Sequence, residues 1–449
     1  MQQHQTVRYA VTGACGGFAR TLLAQTRYLP DLAATALCDL DADGAIAVCA
    51  ELGLPEPRLC RTAEEVRAAG DRPVLVTDAA LLADAEWDIL VEATGNPAAG
   101  YAVAVAALTA GRHVAMASKE VDAVAGTQLA ALAARHGAVY TPAGGDQPAN
   151  LLGLYRWGRR IGLDIVAVGK SSEYDLVFNP ATGQVTHQDR VLDAPELAGL
   201  LTLSADVPAT LAARAAAVAE LPRSASADYC EMAVVATGTG LVPDVADLHY
   251  PVARIAELAD VYALREHGGL LHRPGAVDVF RALRLPGEAS FAGGVFLVVR
   301  TGDAVTWDLL RGKGHLVSRD GRYACVYLPY HLMGVETPDT LYAAVREHRA
   351  ATDTPPRQYA VLAGRAARDL PAGTRLTLYG HHHDIDGLDP LLLPYADTEP
   401  DTAPFYLAAN ARTAVPVPAG TVLRLDHLAG ADPVLADAWR HRVLPEVGH

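Results

Sequence analysis

An apolar segment near the start of the chain, Val7 to Thr12, runs directly into the glycine-rich turn GACGGFA at residues 13–19. A strand that opens into such a turn before a helix is typical of the loop that holds a dinucleotide's pyrophosphate. In that pattern Gly13 permits the tight turn, Gly16 lets backbone N–H groups approach the pyrophosphate, and Ala19 lets helix and strand pack closely. The residues that we expect to bind the cofactor here are Gly13, Cys15, Gly16, Gly17, Phe18 and Ala19.

A second predicted strand, Ala33 to Leu37, ends beside three acidic residues. Asp39 lies about 20 positions beyond the glycines, where a carboxylate commonly binds the ribose 2′-OH of the cofactor. Asp41 and Asp43 add negative charge that would repel a 2′-phosphate, so the sequence favours NAD slightly over NADP. An equally good interpretation of Asp41 and Asp43 is the acidic first turn of the next helix.

The strand predicted from Trp87 to Glu92 ends at a tight turn that contains Thr94, Gly95 and Asn96. An alanine-rich helix is predicted to follow at residues 98–110. A turn at the carboxyl end of a strand suits contact with the ribose or nicotinamide side of a cofactor. A plain helix-capping turn explains the same residues equally well.

The next strand, predicted at residues 113–117, runs into Ser118, Lys119 and Glu120. We assign Ser118 to the cofactor site. Lys119 could polarise a carbonyl group or hold a phosphate, and Glu120 could orient Lys119 or transfer a proton. Asp122 is expected to cap the helix that follows.

Two further charged residues follow predicted strands in the segment 138–171. Asp146 lies in a Pro/Gly turn after the strand at 138–141, and Lys170 follows the strand at 165–168. The helix between them is expected to bury one face, Ile161 included. Because ligands bind at the ends of strands in open α/β sheets, this pair predicts a site. The alternative is a structural turn with solvated charges.

Glu231 stands at the start of an otherwise apolar helical stretch, EMAVVA, at residues 231–236. A buried carboxylate without a partner is costly, so this glutamate needs a role. A salt bridge to Lys119 or Lys170 is one answer, and a metal or substrate site is the other.

The bulk properties of the 449-residue chain exclude several classes of protein. A formal net charge of −15 argues against a nucleic-acid partner, which would need a basic face. No apolar run reaches the roughly 18 residues that a membrane span requires. The six cysteines form no CxxC pair, and the chain enters a strand without a signal peptide, so we expect a cytoplasmic protein with reduced thiols.

The pattern of strands and helices divides the chain into three predicted domains. Alternating strands and helices in residues 1–145 predict a doubly wound parallel sheet, a Rossmann domain. Residues 146–352 are predicted to form an α+β substrate and oligomerisation domain, with a loop at 183–200. Short strands with repeated turn sequences predict a small all-β domain at 353–449.

Two local expectations concern the later part of the chain. The strand predicted at Val295 to Arg300 could pair with the edge of the first sheet. The histidine run at residues 381–383 could bind a metal, although a solvated loop is the favoured interpretation.

Seven segments occur in an order that resembles the homoserine-dehydrogenase-like oxidoreductases with a C-terminal SAF domain, a group that includes deoxyxylulose-phosphate-reductoisomerase-like enzymes. They are VTGACGGFA, VEATGNP, SKEVDAVAG, GGDQPA, VGKSSEY, EMAVVATGTG and RYACVYLPYHLMGVE. The resemblance covers nearly the whole chain, including the SAF-like tail. It implies hydride transfer between NAD(P) and a small polar carbonyl or alcohol, phosphorylated or not, in a homo-oligomer.

The resemblance also implies roles for individual residues. The segment that begins at Gly144 is similar to the one in which reductoisomerases place metal-binding acids, which implies Asp146 and Glu231 as ligands of a divalent metal. Acid–base catalysis without a metal is equally consistent with these residues. The candidate catalytic residues are Lys119, Lys170, Asp146, Glu231 and Glu120.

This chain departs from the family pattern in two places. Relatives usually carry an Asp-Gly-Thr-Lys phrase before the helical glutamate, whereas residues 224–227 here read SASA. Lys119, in turn, stands where those relatives tend to have an apolar residue. The departures leave the deoxyxylulose phosphate reaction open, and they motivate an alternative: a dinucleotide-binding sensor or assembly protein whose SAF-like tail binds a sugar or partner.

Overall fold

Seven parallel strands alternate with helices in the first part of the chain. The computed structural model describes residues 5–445. The elements here are β1 (Val7–Thr12), α1 (Gly17–Thr26), β2 (Leu32–Cys38), α2 (Ala42–Glu51), β3 (Arg58–Leu59), α3 (Ala63–Arg67), β4 (Val74–Val76), β5 (Ile89–Glu92), α4 (Pro97–Thr109), β6 (His113–Met116), α5 (Lys119–Arg135) and β7 (Tyr140–Pro142). The strand order β3-β4-β2-β1-β5-β6-β7 confirms the doubly wound parallel sheet.

This first sheet is apolar on both faces, as helices on both sides of a parallel sheet require. Ala10 and Leu90 belong to the core on one face. Val11 and Val91 belong to the core on the other face. Leu341, in a helix from a later part of the chain, packs into that second core. A late segment therefore covers part of this face of the sheet.

A second, ten-stranded mixed sheet occupies the middle of the chain. Its elements are α6 (Gln147–Arg160), β8 (Asp164–Ser171), β9 (Leu176–Asn179), β10 (Gln184–His187), β11 (Arg190–Asp193), α7 (Val207–Ala217), α8 (Ser226–Thr239), β12 (Val242–Pro243), β13 (Val252–Ala253), α9 (Leu258–Val261), β14 (Ala276–Arg284), β15 (Val295–Arg300), α10 (Ala304–Gly312), β16 (Leu316–Val317), β17 (Tyr323–Leu328) and α11 (Thr337–Glu347). The order is β11-β10-β9-β14-β8-β15-β17-β16, and β12 and β13 also pair with β14.

Three sequence predictions for this region are wrong. Strand β15 pairs antiparallel with β8 and β17, not with the first sheet, because its two apolar faces are both covered in the second sheet. The predicted loop at 183–200 contains β10 and β11, a polar hairpin at the edge of the sheet. Ile161 is the C-cap of α6 and is 55% exposed, since it lies beyond the helix, whose last buried residue is Gly158.

Helix α5 begins at Lys119, four residues before the predicted start at Ala123. Ser118 is its N-cap, and nothing between Lys119 and Asp122 interrupts a helix. The prediction that Asp122 caps the helix is therefore wrong. Its side chain instead accepts a hydrogen bond from the Tyr140 hydroxyl at 2.8 Å.

The last part of the chain combines short strands with one helix. Its elements are β18 (Ala360–Ala366), β19 (Leu378–Tyr379), β20 (Asp384–Ile385), β21 (Leu388–Pro394), β22 (Arg412–Thr413), β23 (Leu428–Ala429) and α12 (Pro433–Arg440). The expectation of an all-β domain missed α12, which Asp432 caps and which buries Trp439. Helix α12 packs against α4 and α5, so this region lies against the first one.

Two further observations concern the described residues. None of the helices in residues 5–445 is long and apolar enough to cross a membrane. All six cysteines are unpaired thiols.

Candidate functional site

The turn after β1 has the backbone geometry that a dinucleotide loop needs. Gly13 adopts a φ of +67°, and a Cβ there would lie 2.4 Å from the Ala93 carbonyl oxygen, so only glycine fits. Gly16 is the N-cap of α1, and no side chain caps this helix in the described part of the chain. The N–H groups of the first turn are therefore available to an anionic ligand. Gly16 and Gly17 are exposed and Phe18 is half-buried, while Ala19 packs in the core.

Asp39 faces this loop and also stabilises it through hydrogen bonds. Its carboxylate accepts hydrogen bonds from the backbone N–H of Cys15 at 2.8 Å and of Asp41 at 3.0 Å. Asp41 caps α2 by accepting from the Gly44 N–H at 2.9 Å, which supports the helix-capping interpretation of this residue. Burial, reinforced by Asp39, raises the pKa of the Cys15 thiol to about 12, so the thiol stays neutral at physiological pH.

The turn after β5 is tied to the turn after β6. Asn96 caps α4 by accepting from the Ala99 N–H at 3.1 Å, as the capping interpretation predicted. The Gly95 N–H donates to the Ser118 hydroxyl at 2.8 Å. Ser118 is buried, whereas Thr94 is exposed at the sheet edge. Ser118 thus positions the turn, and Thr94 and Gly95 form the surface that a nicotinamide could contact.

Glu92, at the end of β5, is a buried carboxyl that the sequence analysis did not select. Its Oε1 accepts from the Thr94 N–H at 3.0 Å, and its Oε2 has no hydrogen-bond partner in the described residues. Burial raises the pKa of Glu92, while the Ser118 hydroxyl and the Thr94 N–H partly offset this. The signal in the sequence that could have identified Glu92 is an acidic residue at the end of an apolar strand.

Two lysine side chains converge on one carboxylate where α5, β8 and α8 meet. Lys119 and Lys170 place their ammonium groups on different oxygens of Glu231. Lys170 also donates to Asp228 Oδ1 at 2.7 Å. Asp228 lies three residues before Glu231, on the same face of α8. The structure thus gives Glu231 salt bridges to both candidate lysines at once.

The two lysines differ in their access to solvent. The side chain of Lys170 is 1% exposed and that of Glu231 is 2% exposed. The side chain of Lys119 is 21% exposed. The side chain of Lys119 is therefore the more solvent-accessible of the two, whereas that of Lys170 is buried.

The amino-acid composition makes this convergence notable. Only three of the 37 basic residues (Lys and Arg) are lysines, and the third, Lys313, is exposed on the surface. Lysine presents a compact charge and can give up its proton, whereas arginine stays charged.

The charges in this cluster set the protonation of its acids. Burial opposes ionisation of Glu231, but Lys119 and Lys170 outweigh it and lower its pKa to about 2. Burial likewise acts to lower the pKa of Lys119, but Glu231 and Asp146 outweigh it and raise that pKa well above the ordinary value. Both groups therefore stay ionised around neutral pH.

Asp146 lies close enough to this cluster to share its electrostatics. It is the N-cap of α6 and accepts from the Gln147 N–H at 3.1 Å. Burial raises the pKa of Asp146, and Glu231 adds to this while Lys119 counteracts it.

Asp122 is a second buried acid beside Asp146. Burial raises its pKa to about 7, although the hydrogen bond from Tyr140 acts in the opposite direction. Carboxyl groups whose environments separate their pKa values are candidates for acid and base roles. The pKa values of Asp122 and Asp146 are raised, whereas that of Glu231 is lowered, so the three groups show this contrast.

The C-terminal region reaches this site through its histidine run. His383 Nδ1 lies 2.6 Å from Glu120 Oε1, and the His383 ring packs against Gly95. Glu120 therefore binds a histidine and not the lysine pair. The hydrogen bond to Glu120 raises the pKa of His383, despite the opposing effect of burial. His381 and His382 contact Glu173, each at 3.2 Å, on the second region.

The acidic residues as arranged do not fit a divalent cation. Both oxygens of Glu231 are bound by lysine ammoniums, and a cation there would face two positive charges. Within residues 5–445, no group of three or more His, Cys, Asp or Glu side chains is placed to hold a metal. The arrangement suits electrostatic and acid–base roles, and a metal on Asp146 and Glu231 stays a prediction from the resemblance.

One known family model matches a segment in the middle of the chain. Residues 145–337 match the family model described as oxidoreductase DRL, catalytic domain. That segment contains Asp146, Lys170, Asp228 and Glu231, whereas Lys119 lies before it. No curated protein of similar sequence was found.

Several solved structures resemble this chain at low similarity. A probable dehydrogenase from Thermotoga maritima is 12% identical, with 77% of this chain and 90% of that chain covered and a TM-score of 0.38. A hyperthermophilic archaeal homoserine dehydrogenase in complex with NADPH is 13% identical, with 76% and 98% covered and a TM-score of 0.37. A DOX-P reductoisomerase in complex with magnesium is 20% identical, with 38% of this chain covered and a TM-score of 0.29. This chain spans less than half of the reductoisomerase, 46% of its length.

Proposed function

We propose that this protein is an NAD(P)-dependent oxidoreductase that transfers hydride between the nicotinamide and a small polar carbonyl or alcohol. The observation that carries the proposal is the pairing of Lys119 and Lys170 on Glu231, at the same edge of the molecule as the loop after β1. The match of residues 145–337 to an oxidoreductase catalytic domain supports it. A cytoplasmic location and a homo-oligomeric state belong to the same proposal.

The cofactor is proposed to lie along the carboxyl ends of β1, β2 and β5. The uncapped N-terminus of α1 and the glycine at position 13 fit a pyrophosphate. Asp39 would accept a hydrogen bond from a ribose hydroxyl with the lone pairs that its backbone partners leave free. NAD is favoured over NADP because no basic side chain stands beside Asp39 in the sequence CDLDAD. A bound reduced nicotinamide supplies the hydride.

Lys119 is proposed to bind the substrate oxygen. When a carbonyl carbon accepts hydride, negative charge develops on its oxygen, and a fixed cation there lowers the barrier. The ammonium of Lys119 meets this need because its side chain is more exposed than that of Lys170 and is held by Glu231. Lys170 acts as a positioning residue, since it is buried and fixes Glu231 from the other side.

The proton that completes the alcohol is proposed to come from Lys119 and to be replaced from Asp146. Burial raises the pKa of Asp146, so it can hold a proton in the site. In the reverse direction the same groups accept the alcohol's proton as hydride leaves its carbon. One hydride and one proton are thus transferred per carbonyl reduced.

Reduction coupled to rearrangement of deoxyxylulose phosphate is a finer form of this proposal. It rests on the resemblance of GGDQPA and of the ASKE sequence at residues 117–120. Because the lysines occupy both oxygens of Glu231, that reaction would require a different metal arrangement. A dinucleotide-binding sensor remains the alternative, and the retained pair of buried lysines speaks against it.

Turnover by the purified protein tests the proposal. NADH and NADPH are each mixed with deoxyxylulose phosphate, aspartate semialdehyde, and small ketoses and aldehydes with and without a phosphate. Each mixture is run with and without Mg²⁺ or Mn²⁺, and the absorbance of the reduced nicotinamide is followed. Consumption of NADH with one of these carbonyls is the expected result. Tight nucleotide binding without turnover of any compound would contradict it and favour the sensor.

A further inference from the structure

A cavity of about 370 Å³ lies beside the lysine cluster, between α7 and the chain around β13 and β14. Apolar side chains of α7 form one wall. The polar residues that line it are Arg223, His249, Tyr250 and Arg281. None of the lining residues is acidic, although the chain as a whole has an excess of acidic residues. The cavity is therefore a basic pocket in an acidic protein.

Arg281 is the residue that demands an explanation. It lies on β14, is 4% exposed, and its Nη2 is buried without a hydrogen-bond partner. Its guanidinium forms no ion pair with any residue of the part of the chain that the structure describes. Burial, reinforced by the like charge of Arg223, lowers the pKa of Arg281 to about 10, which still leaves it charged. A buried cation without a counter-charge is costly unless a ligand supplies one.

The other polar residues of the cavity are held in place by the protein. Arg223 donates to the Leu248 carbonyl at 2.8 Å, and its guanidinium lies over the Tyr250 ring at 5.2 Å. His249 Nδ1 binds Asp278. His249 Nε2 is buried and lies 3.4 Å from Asp244 Oδ2, without the geometry of a hydrogen bond. These contacts fix the basic groups around the cavity and leave His249 Nε2 and Arg281 Nη2 unsatisfied.

We propose that this cavity binds an oxyanion, a phosphate or carboxylate group of a small molecule, with Arg281 as its principal partner. Arginine suits this role because its planar fork binds two oxygens of such a group at once. A cavity of this size accommodates the anion with a few attached atoms. The site is separate from the exposed face of Lys119, so the inference does not depend on the proposed reaction.

Tyr250 connects this oxyanion site to the lysine cluster. It lines the cavity, and its hydroxyl donates to Asp228 Oδ2 at 3.2 Å. The other oxygen of Asp228 accepts from Lys170 at 2.7 Å. Tyr250, in the wall of the cavity, is therefore two hydrogen bonds from Lys170.

Calorimetric titration of the full chain with inorganic phosphate, and separately with acetate, tests the site at constant ionic strength in chloride buffer. We expect saturable binding of at least one of the two anions, which also identifies the group that the site prefers. Arg281→Met should weaken this binding about tenfold or more, because it removes the charged fork. Arg281→Lys, which keeps a charge without the fork, should fall between. Arg190→Met, the same change at an exposed arginine, should bind as the unaltered protein does.

Thermal unfolding separates the proposed role from a structural one. Without added anion, Arg281→Met should unfold at a higher temperature than the unaltered protein, because an unpaired buried charge has been removed. Added phosphate should raise the unfolding temperature of the unaltered protein and leave that of Arg281→Met unchanged. Three outcomes would overturn the proposal: no binding of either anion, equal binding by Arg281→Met, or a lower unfolding temperature of Arg281→Met without anion.

Discussion

The loop after β1 and the cluster around Glu231 differ in the polar groups that they would offer to a ligand. The loop offers uncapped backbone N–H groups and no basic side chain, so its attraction for an anion comes from peptide dipoles. The cluster holds charged side chains that already satisfy one another, with a single ammonium, Lys119, left partly open. Under the proposed function, binding at the loop depends on backbone shape, whereas chemistry at the cluster depends on charge balance. Changes at the two places should affect different measurements.

Loss of the shared carboxylate should have the largest effect. Glu231→Gln leaves Lys119 and Lys170 facing each other without the carboxylate between them. Lys170, which is buried, keeps Asp228 as its remaining partner. Breaking a buried ion pair on one side costs roughly 3–5 kcal/mol, so the unfolding free energy should fall by that order and turnover should be lost. Denaturant titration and the turnover assay measure both. A stable, active Glu231→Gln protein would refute the charge-balance account of the cluster.

A change in the loop should act on the cofactor instead. Gly13→Ala places a Cβ against the Ala93 carbonyl oxygen and forces alanine into the left-handed region. Strain of this kind costs on the order of 1–3 kcal/mol, and we expect nucleotide affinity to fall about tenfold or more. Titration with NADH measures the affinity. The control is Gly153→Ala in α6, where an added Cβ meets no atom within 4 Å and affinity should be unchanged.

Asp39→Asn should also act on cofactor binding, with a smaller effect than Gly13→Ala. An amide keeps one acceptor, for the Cys15 N–H, but loses the second one, for the Asp41 N–H, and removes the charge that opposes a 2′-phosphate. The ratio of the NADPH to the NADH dissociation constant should therefore fall by a few-fold, and the unfolding temperature should fall slightly because the hydrogen bond from Asp41 is lost. An unchanged ratio would show that Asp39 serves the loop alone.

A pH dependence of stability is expected at Asp122. Burial raises its folded pKa to about 7 from an ordinary value of 3.8. Between these two pH values the folded state holds a proton that the unfolded state has released, so this group makes the protein less stable as pH rises through the window. Asp122→Asn should thus be more stable than the unaltered protein at pH 8, and the difference should shrink towards pH 4. A stability difference between the two proteins that is the same at every pH would contradict the raised pKa.

Local sequence signals account for the loop better than for the cluster. The glycines after β1 and the charged residues at strand ends are visible within a few positions, although Lys119 lies in the first turn of α5 and Lys170 inside β8. Asp228 was visible in the sequence as an acid three residues before Glu231, but its role depends on Lys170, 58 residues earlier. His383 reaches Glu120 across 263 residues, and no local pattern can indicate such a contact.

The errors in the predicted elements have the same origin. Strand β15 has the apolar pattern of a buried strand, which fits either sheet, and only tertiary packing assigns it to the second one. The start of α5 was placed late because Asp122 resembles a cap. The early start matters for the site, since it puts Lys119 on the first turn of a helix that faces α8.

The most direct test of the account compares two lysines. Lys119→Ala and Lys313→Ala each remove one ammonium, from the cluster and from the exposed surface respectively. With a carbonyl that the unaltered protein reduces, the account predicts that Lys119→Ala lowers kcat by about a hundredfold or more at unchanged NADH affinity. Lys313→Ala should match the unaltered protein in both measurements. Equal kcat values for the two variants would contradict the claim that Lys119 stabilises the developing charge on the substrate oxygen.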